Sequence, residues 1–145
     1  MVSIRPSRPD DGLRVLAIWA AAVDATHHFL TDQDRHAIGE EVATFLPHAP
    51  LLVAVDDHDV ALAFMMVAER HLEALFVDPG HHRAGIGKAM VRHALDDQPG
   101  LSVDVNAQND GAATFYEHIG FVETGRSSRD GQGRPYPLIH LRHKG

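Results

Sequence analysis

The sequence predicts a mixed-sheet α/β domain of the α+β kind, with about seven strands and four helices. Three observations carry that expectation. Strand and helix periodicities succeed one another along the chain; twice, at residues 75–95 and 103–121, a strand runs through a polar turn into a helix; and 145 residues suffice for one hydrophobic core but not for two. A single domain over residues 1–145 is expected, since no internal repeat, low-complexity run or linker interrupts the chain.

Residues 2–5 read as a short strand ended by Pro6, and Pro9-Asp10-Asp11 as a helix start with acids near the positive end of the dipole. The first helix runs through Leu13, Leu16, Ile18, Trp19 and Ala22 and should fray across residues 24–28. A second amphipathic helix covers residues 32–45, closed by Pro47 and Pro50. Residues 51–55 and 60–68, joined by Asp56-Asp57-His58-Asp59, form a hairpin, and Glu69-Arg70 turns the chain into a strand over residues 71–77.

The stretch LFVDPGHHRAGIGKAMVRHAL, residues 75–95, organises the rest. Leu75, Phe76 and Val77 suit a buried strand, which Pro79 and Gly80 stop. From Gly85 onward Ile86, Met90, Val91 and Leu95 recur at helical spacing. Leu101, Val103 and Val105 then alternate as a strand, and Asn109 or Asp110 is expected to cap a helix carrying Ala113, Phe115, Tyr116 and Ile119, with Gly120 as its stop. Two strands, residues 121–126 and 136–141, close the chain around an exposed turn at residues 127–134.

Thirteen basic against twenty acidic side chains give a net charge of −7, which argues against general nucleic-acid binding and mildly favours a cationic partner. The absence of cysteine excludes disulfides, thiolate metal sites and a cysteine nucleophile. The N-terminal MVSIRPSRPDDG holds no apolar signal segment and no long apolar run occurs elsewhere, so no membrane association and a cytoplasmic location are expected.

A helix beginning among glycines offers unpaired backbone N–H groups and the positive end of its dipole, and Gly85 and Gly87 let an anion approach the backbone. With Arg83 and Lys88 adding charge, the chemistry points to a phosphate, best a pyrophosphate. A P-loop is excluded because His82 stands at its first glycine and Ala89 follows Gly87-Lys88; a dinucleotide fingerprint fails at Met90.

The loop His82-Arg83-Ala84-Gly85-Ile86-Gly87 resembles the Arg/Gln-x-x-Gly-x-Gly/Ala pyrophosphate loop of the GCN5-related N-acetyltransferase family, and NAQNDGAATFYEHIGF is similar to that family's second cofactor-binding block. His82 departs from the usual Arg or Gln, while the backbone amides that would hold phosphate are unaffected. The segments DATHHFL and TGRSSRDGQGRPYPLIHL are similar to those of small bacterial members. The resemblance implies a twisted, mostly antiparallel sheet and acetyl-CoA as acetyl donor. It also implies that Leu75, Phe76 and Val77 contact the pantetheine arm, that His82, Arg83, Ala84, Gly85, Ile86, Gly87 and Lys88 hold the diphosphate, and that Asn109, Ala112 and Tyr116 line the cofactor from the second block.

It implies, further, N-acetyl transfer to a primary amine of a small molecule, peptide or protein. With no cysteine to carry the acetyl group, the amine would attack directly in a ternary complex. Tyr116 occupies the position of a tyrosine acid, the role favoured over simple packing of its ring beside Phe115. His71 and Glu73, two apart on a strand, face the same way; either could drain the amine's proton, or both could be solvated or paired across strands. His27, His28 and Phe29 fall where the family walls the acceptor pocket, though the histidines could simply cap the first helix. Twelve histidines without HExxH spacing give no metal site, and no GxSxG elbow marks a hydrolase. The exposed terminal strands would support a homodimer. The rival reading is a non-catalytic acyl-CoA sensor or partner-binding module on the same fold.

Overall fold

A computed structural model describes residues 2–81, 85–109, 111–131 and 133–144. Along the chain it has β1 (Ser3–Pro6), α1 (Gly12–Thr26), α2 (Asp32–Phe45), β2 (Leu52–Val55), β3 (Ala61–Ala68), β4 (His71–Val77), α3 (Ile86–Asp97), β5 (Ser102–Asn106), α4 (Ala112–Ile119), β6 (Phe121–Ser127) and β7 (Leu138–His143). The seven strands are ordered β1-β2-β3-β4-β5-β7-β6. β4 pairs with β5 in parallel, whereas β1 with β2, β2 with β3, β5 with β7 and β6 with β7 are antiparallel. The expected mixed, mostly antiparallel sheet with four helices is therefore borne out.

The chain divides into two compact units, Met1–Met66 with Ala74–Met90, and Val67–Glu73 with Val91–Gly145. In the first, Val15, Ile18, Trp19 and Val23 of α1 pack with Val53, Val55, Ala61 and Phe64 of the β2–β3 hairpin. These positions recur at i, i+3, i+4 and i+8 on the helix and alternate on β2, and a register shift in the hairpin lets Ala61 and Phe64, three apart on β3, stand opposite Val55 and Val53, so one face of each element leaves water. Burying a side chain such as Phe64 or Ile18, each fully inaccessible, contributes roughly 1.5–3 kcal/mol. Leu13, which continues the apolar run of α1 in sequence, lies on the opposite face and is 86% exposed.

Entry to α1 is fixed by Asp11, the one buried charged residue among those described. Its carboxylate accepts from Arg5 Nη1 at 2.8 Å, Arg5 Nη2 at 3.0 Å and the Arg8 N–H at 2.7 Å. Helix α2 starts at Thr31, whose hydroxyl accepts from the Asp34 N–H; Ile38 and Val42 lean on the core without being fully buried.

In the second unit α4 packs on β5, β6 and β7. The Tyr116 ring stands edge-on to Phe115 and Phe121, with centroids 4.9 and 5.3 Å away, and His143 lies edge-on to Phe121 at 5.2 Å. The two-residue turn Glu69-Arg70 has φ of 52° and 63°, the left-handed pair that a type I′ hairpin turn requires.

Two expectations are corrected. Helix α4 is capped by Gly111, at φ 89° and with no side-chain cap bond, rather than by the side chain of Asn109; Asn109 serves through its carbonyl, which accepts the Ala112 N–H at 3.3 Å. Asp110, the alternative cap, lies outside the described residues. The last strand begins at Leu138 rather than Tyr136 and inserts between β5 and β6.

Candidate active site

The end of β4 and the start of α3 hold the phosphate-binding candidates of the first unit. Leu75, Phe76 and Val77 are half-buried, and Phe76 packs its ring 5.5 Å from that of Phe64. Asp78 then ends the strand. Its Oδ1 accepts the Gly80 N–H at 3.0 Å, and its backbone carbonyl accepts the His81 N–H at 2.8 Å, closing a tight turn. The Arg14 guanidinium beside it holds the Asp78 carboxyl below the usual carboxylate range.

His82, Arg83 and Ala84, expected to bind the diphosphate, lie outside the described residues. Gly85 is exposed at φ +73°, and no atom of the described residues beyond its chain neighbours lies within 4 Å of where a Cβ would project. Its carbonyl accepts the Ala89 N–H at 3.0 Å, so helical bonding starts there. The N–H groups of the first turn, from Ile86 to Lys88, therefore have no partner earlier in the helix. Ile86 is buried and anchors the turn, Gly87 is also buried, and Lys88 is exposed. Open space at a left-handed glycine, helix amides and an exposed ammonium together fit a diphosphate.

At the end of α1, His27 is the C-cap and His28 is exposed. His27 Nδ1 lies 2.7 Å from Thr26 Oγ1, and its ring sits 5.3 Å from that of half-buried Phe29. Burial, with a smaller effect from His28, pushes the His27 imidazole below its ordinary pKa, so it presents a neutral ring.

The second unit holds the remaining candidates. Tyr116 is 7% exposed, and burial raises its phenol above the ordinary value. None of the hydrogen bonds among the described residues engages the Tyr116 hydroxyl. Ala112 opens α4 and Asn109 is half-buried in the preceding turn. Glu73 is exposed. His71 is held across strands: Nδ1 lies 2.7 Å from Ser102 Oγ, and Nε2 lies 3.6 Å from Asp104 Oδ2. Cross-strand pairing, one of the alternatives for this position, is what the register His71↔Ser102 produces.

Sequence reasoning did not single out Arg14, Asp104, Ser127 or His140. Arg14 is a polar residue on an otherwise ordinary helix, and its role depends on α1 lying against the turn after β4. Asp104 meets His140 only because β7 pairs with β5, a register that no local pattern announces.

Solved structures share this fold. PaiA N-acetyltransferase from Thermoplasma acidophilum, in complex with coenzyme A, is 15% identical with a TM-score of 0.80, covering 100% of this chain and 99% of that one. The solution structure of apo-form YjaB from Escherichia coli gives a TM-score of 0.95 at 45% identity, with the same 100% and 99% coverage. The architecture is thus that of the N-acetyltransferases. In sequence, residues 18–135 match the acetyltransferase (GNAT) domain. The peptidyl-lysine N-acetyltransferases YjaB of Salmonella typhimurium and Escherichia coli are 49% and 45% identical, covering 97% and 100% of this chain and 97% and 99% of their own. The chain belongs to the GCN5-related N-acetyltransferase family and is an acyltransferase that moves an acetyl group to an amine. The resemblance seen in its loop and its second block is borne out at the level of the family.

Proposed function

We propose that this chain acetylates the ε-amine of lysine in a peptide or protein, using acetyl-CoA and direct attack by the amine in a ternary complex. The observation that carries the cofactor half is the start of α3, where Gly85 leaves space beside first-turn amides. The lysine acceptor is supported by the two full-length relatives named as peptidyl-lysine N-acetyltransferases and by the net charge of −7, which suits a cationic peptide.

Acetyl-CoA supplies a thioester, whose carbonyl is open to an amine and whose sulfur can depart as thiolate. The protein's tasks are to hold the diphosphate, to render the lysine ammonium neutral and to meet the departing sulfur with a donor. Residues Ile86 to Lys88 hold the diphosphate by N–H groups and charge. Glu73, exposed, attracts the ammonium ion and takes its proton; His71, already bonded to Ser102, is the less available of the two. Tyr116, kept neutral by burial, donates its hydroxyl hydrogen to the departing sulfur.

The test is incubation with acetyl-CoA and a lysine-containing peptide beside its N-terminally blocked form, small polyamines and a lysine-free control. Free thiol and peptide mass are followed together. The expected result is thiol release matched by one acetyl group on lysine in both lysine peptides. Coenzyme A binding without thiol release above background would instead make the chain a sensor, and acetylation confined to polyamines or to the free N-terminus would overturn the acceptor.

A further inference from the structure

Five polar side chains on one face of the second unit form a row of three hydrogen bonds joined by one longer ionic contact. Asp104 of β5 stands opposite His140 of β7, and its Oδ1 lies 2.6 Å from His140 Nδ1. His140 Nε2 lies 2.6 Å from Ser127 Oγ at the end of β6. The other carboxylate oxygen of Asp104 is 3.6 Å from His71 Nε2, and His71 Nδ1 is 2.7 Å from Ser102 Oγ. Asp104 is thus engaged from both sides.

Elementary chemistry sets the direction of the protons. An ionised carboxylate only accepts, so a neutral His140 carries its hydrogen on Nδ1 and gives it to Asp104. Nε2 is left with its lone pair, and the bond to Ser127 must then run from the serine hydroxyl to the imidazole. That is the direction in which a base draws a proton from a nucleophilic oxygen. Serine, base and orienting carboxylate at hydrogen-bond distance define such a unit by geometry, whatever their order in the chain. Ser102 lacks the arrangement, because the far nitrogen of its histidine is 3.6 Å from the carboxylate.

We infer that Ser127 is an activated nucleophile and an acyl-accepting site in its own right, whose donors are small acyl compounds with good leaving groups, such as aryl esters and acyl phosphates. Ser127 is half-buried at the end of a strand on the sheet edge, a position that selects by reactivity rather than by shape. Ser127 Oγ attacks the acyl carbon while its proton passes to His140 Nε2. The bond to the leaving group then breaks, and that group departs with the proton from His140. Water can later cleave the new ester by the same route, giving the carboxylic acid and free Ser127.

Diisopropyl fluorophosphate tests the site: the serine oxygen displaces fluoride, and its proton leaves through His140. Ser128, the exposed neighbour, is an internal control. After digestion and mass mapping of the intact wild-type chain, labelling of Ser127 should exceed that of Ser128 by about tenfold or more. In His140→Gln and Asp104→Asn it should fall to the Ser128 level. Equal labelling of the two serines in the folded wild-type protein overturns the inference however the variants fold, and so does labelling of Ser127 that survives His140→Gln.

Discussion

Arg14 of α1 ties down Asp78 at the end of β4: its Nη2 lies 2.5 Å from Asp78 Oδ2, while its Nε donates to the Ala61 carbonyl at 2.7 Å. The same aspartate closes the turn that leads to the phosphate-binding candidates. Arg14 acts on that turn through Asp78 and is a positioning residue. Arg14→Met should therefore raise KM for acetyl-CoA about tenfold, or about 1.4 kcal/mol, with kcat within about threefold of wild type. Steady-state kinetics with varied acetyl-CoA check this, and an unchanged KM accompanied by a fall in kcat would contradict it.

Tyr116→Phe separates chemistry from packing. The ring is buried among Phe115 and Phe121, but no bond among the described residues holds its hydroxyl, so its removal should move Tm by no more than a few degrees. If the hydroxyl assists the departing sulfur, kcat should drop about 10²-fold with KM for acetyl-CoA little changed. Full turnover in the variant would leave Tyr116 a packing residue.

Glu73→Gln should lower kcat/KM for a lysine peptide about tenfold or more, whereas His71→Gln, which can keep a bond to Ser102, should lower it less. Parallel kinetics on the two variants decide the matter. The reverse ranking would assign the proton-draining role to His71.

Acid sensitivity should localise to Asp11. Its carboxyl is held below the usual value chiefly by the Arg5 guanidinium and further by the Arg8 N–H. Because the unfolded carboxyl binds its proton first, this stabilisation is fully present above about pH 4 and is lost as pH falls through the folded-state pKa. Asp11→Asn should cost about 2–4 kcal/mol near neutrality and flatten the acid limb of Tm against pH. An unaltered acid limb in the variant would show that other groups carry it.

Much of the fold could be read from local pattern. Helix α2 and strand β4 fall on their expected boundaries, residues 32–45 and 71–77, because Thr31 and Pro47 flank one and paired left-handed residues with Asp78-Pro79 flank the other. What escaped was non-local. The insertion of β7 between β5 and β6 is a choice of partner, and partner choice brings Asp104, His140 and Ser127 together. Leu13 points outward because the apolar face of α1 is set by Val15, Ile18, Trp19, Ala22 and Val23, with which it is out of phase. At the candidate site the glycine-started helix was visible as a motif. The bond from Arg14 to Asp78 was not, since it joins residues 64 apart in sequence.

Calorimetric titration of coenzyme A into the wild-type chain and into Gly85→Val addresses the role of the α3 amides most directly. Among the described residues nothing lies within 4 Å of a Cβ at Gly85, so the new side chain meets backbone strain of about 1–2 kcal/mol and whatever occupies the space beside the helix. A folded variant that binds coenzyme A at least about tenfold more weakly than wild type is the predicted result. Equal affinity in the two proteins, or no heat with wild type, would contradict it.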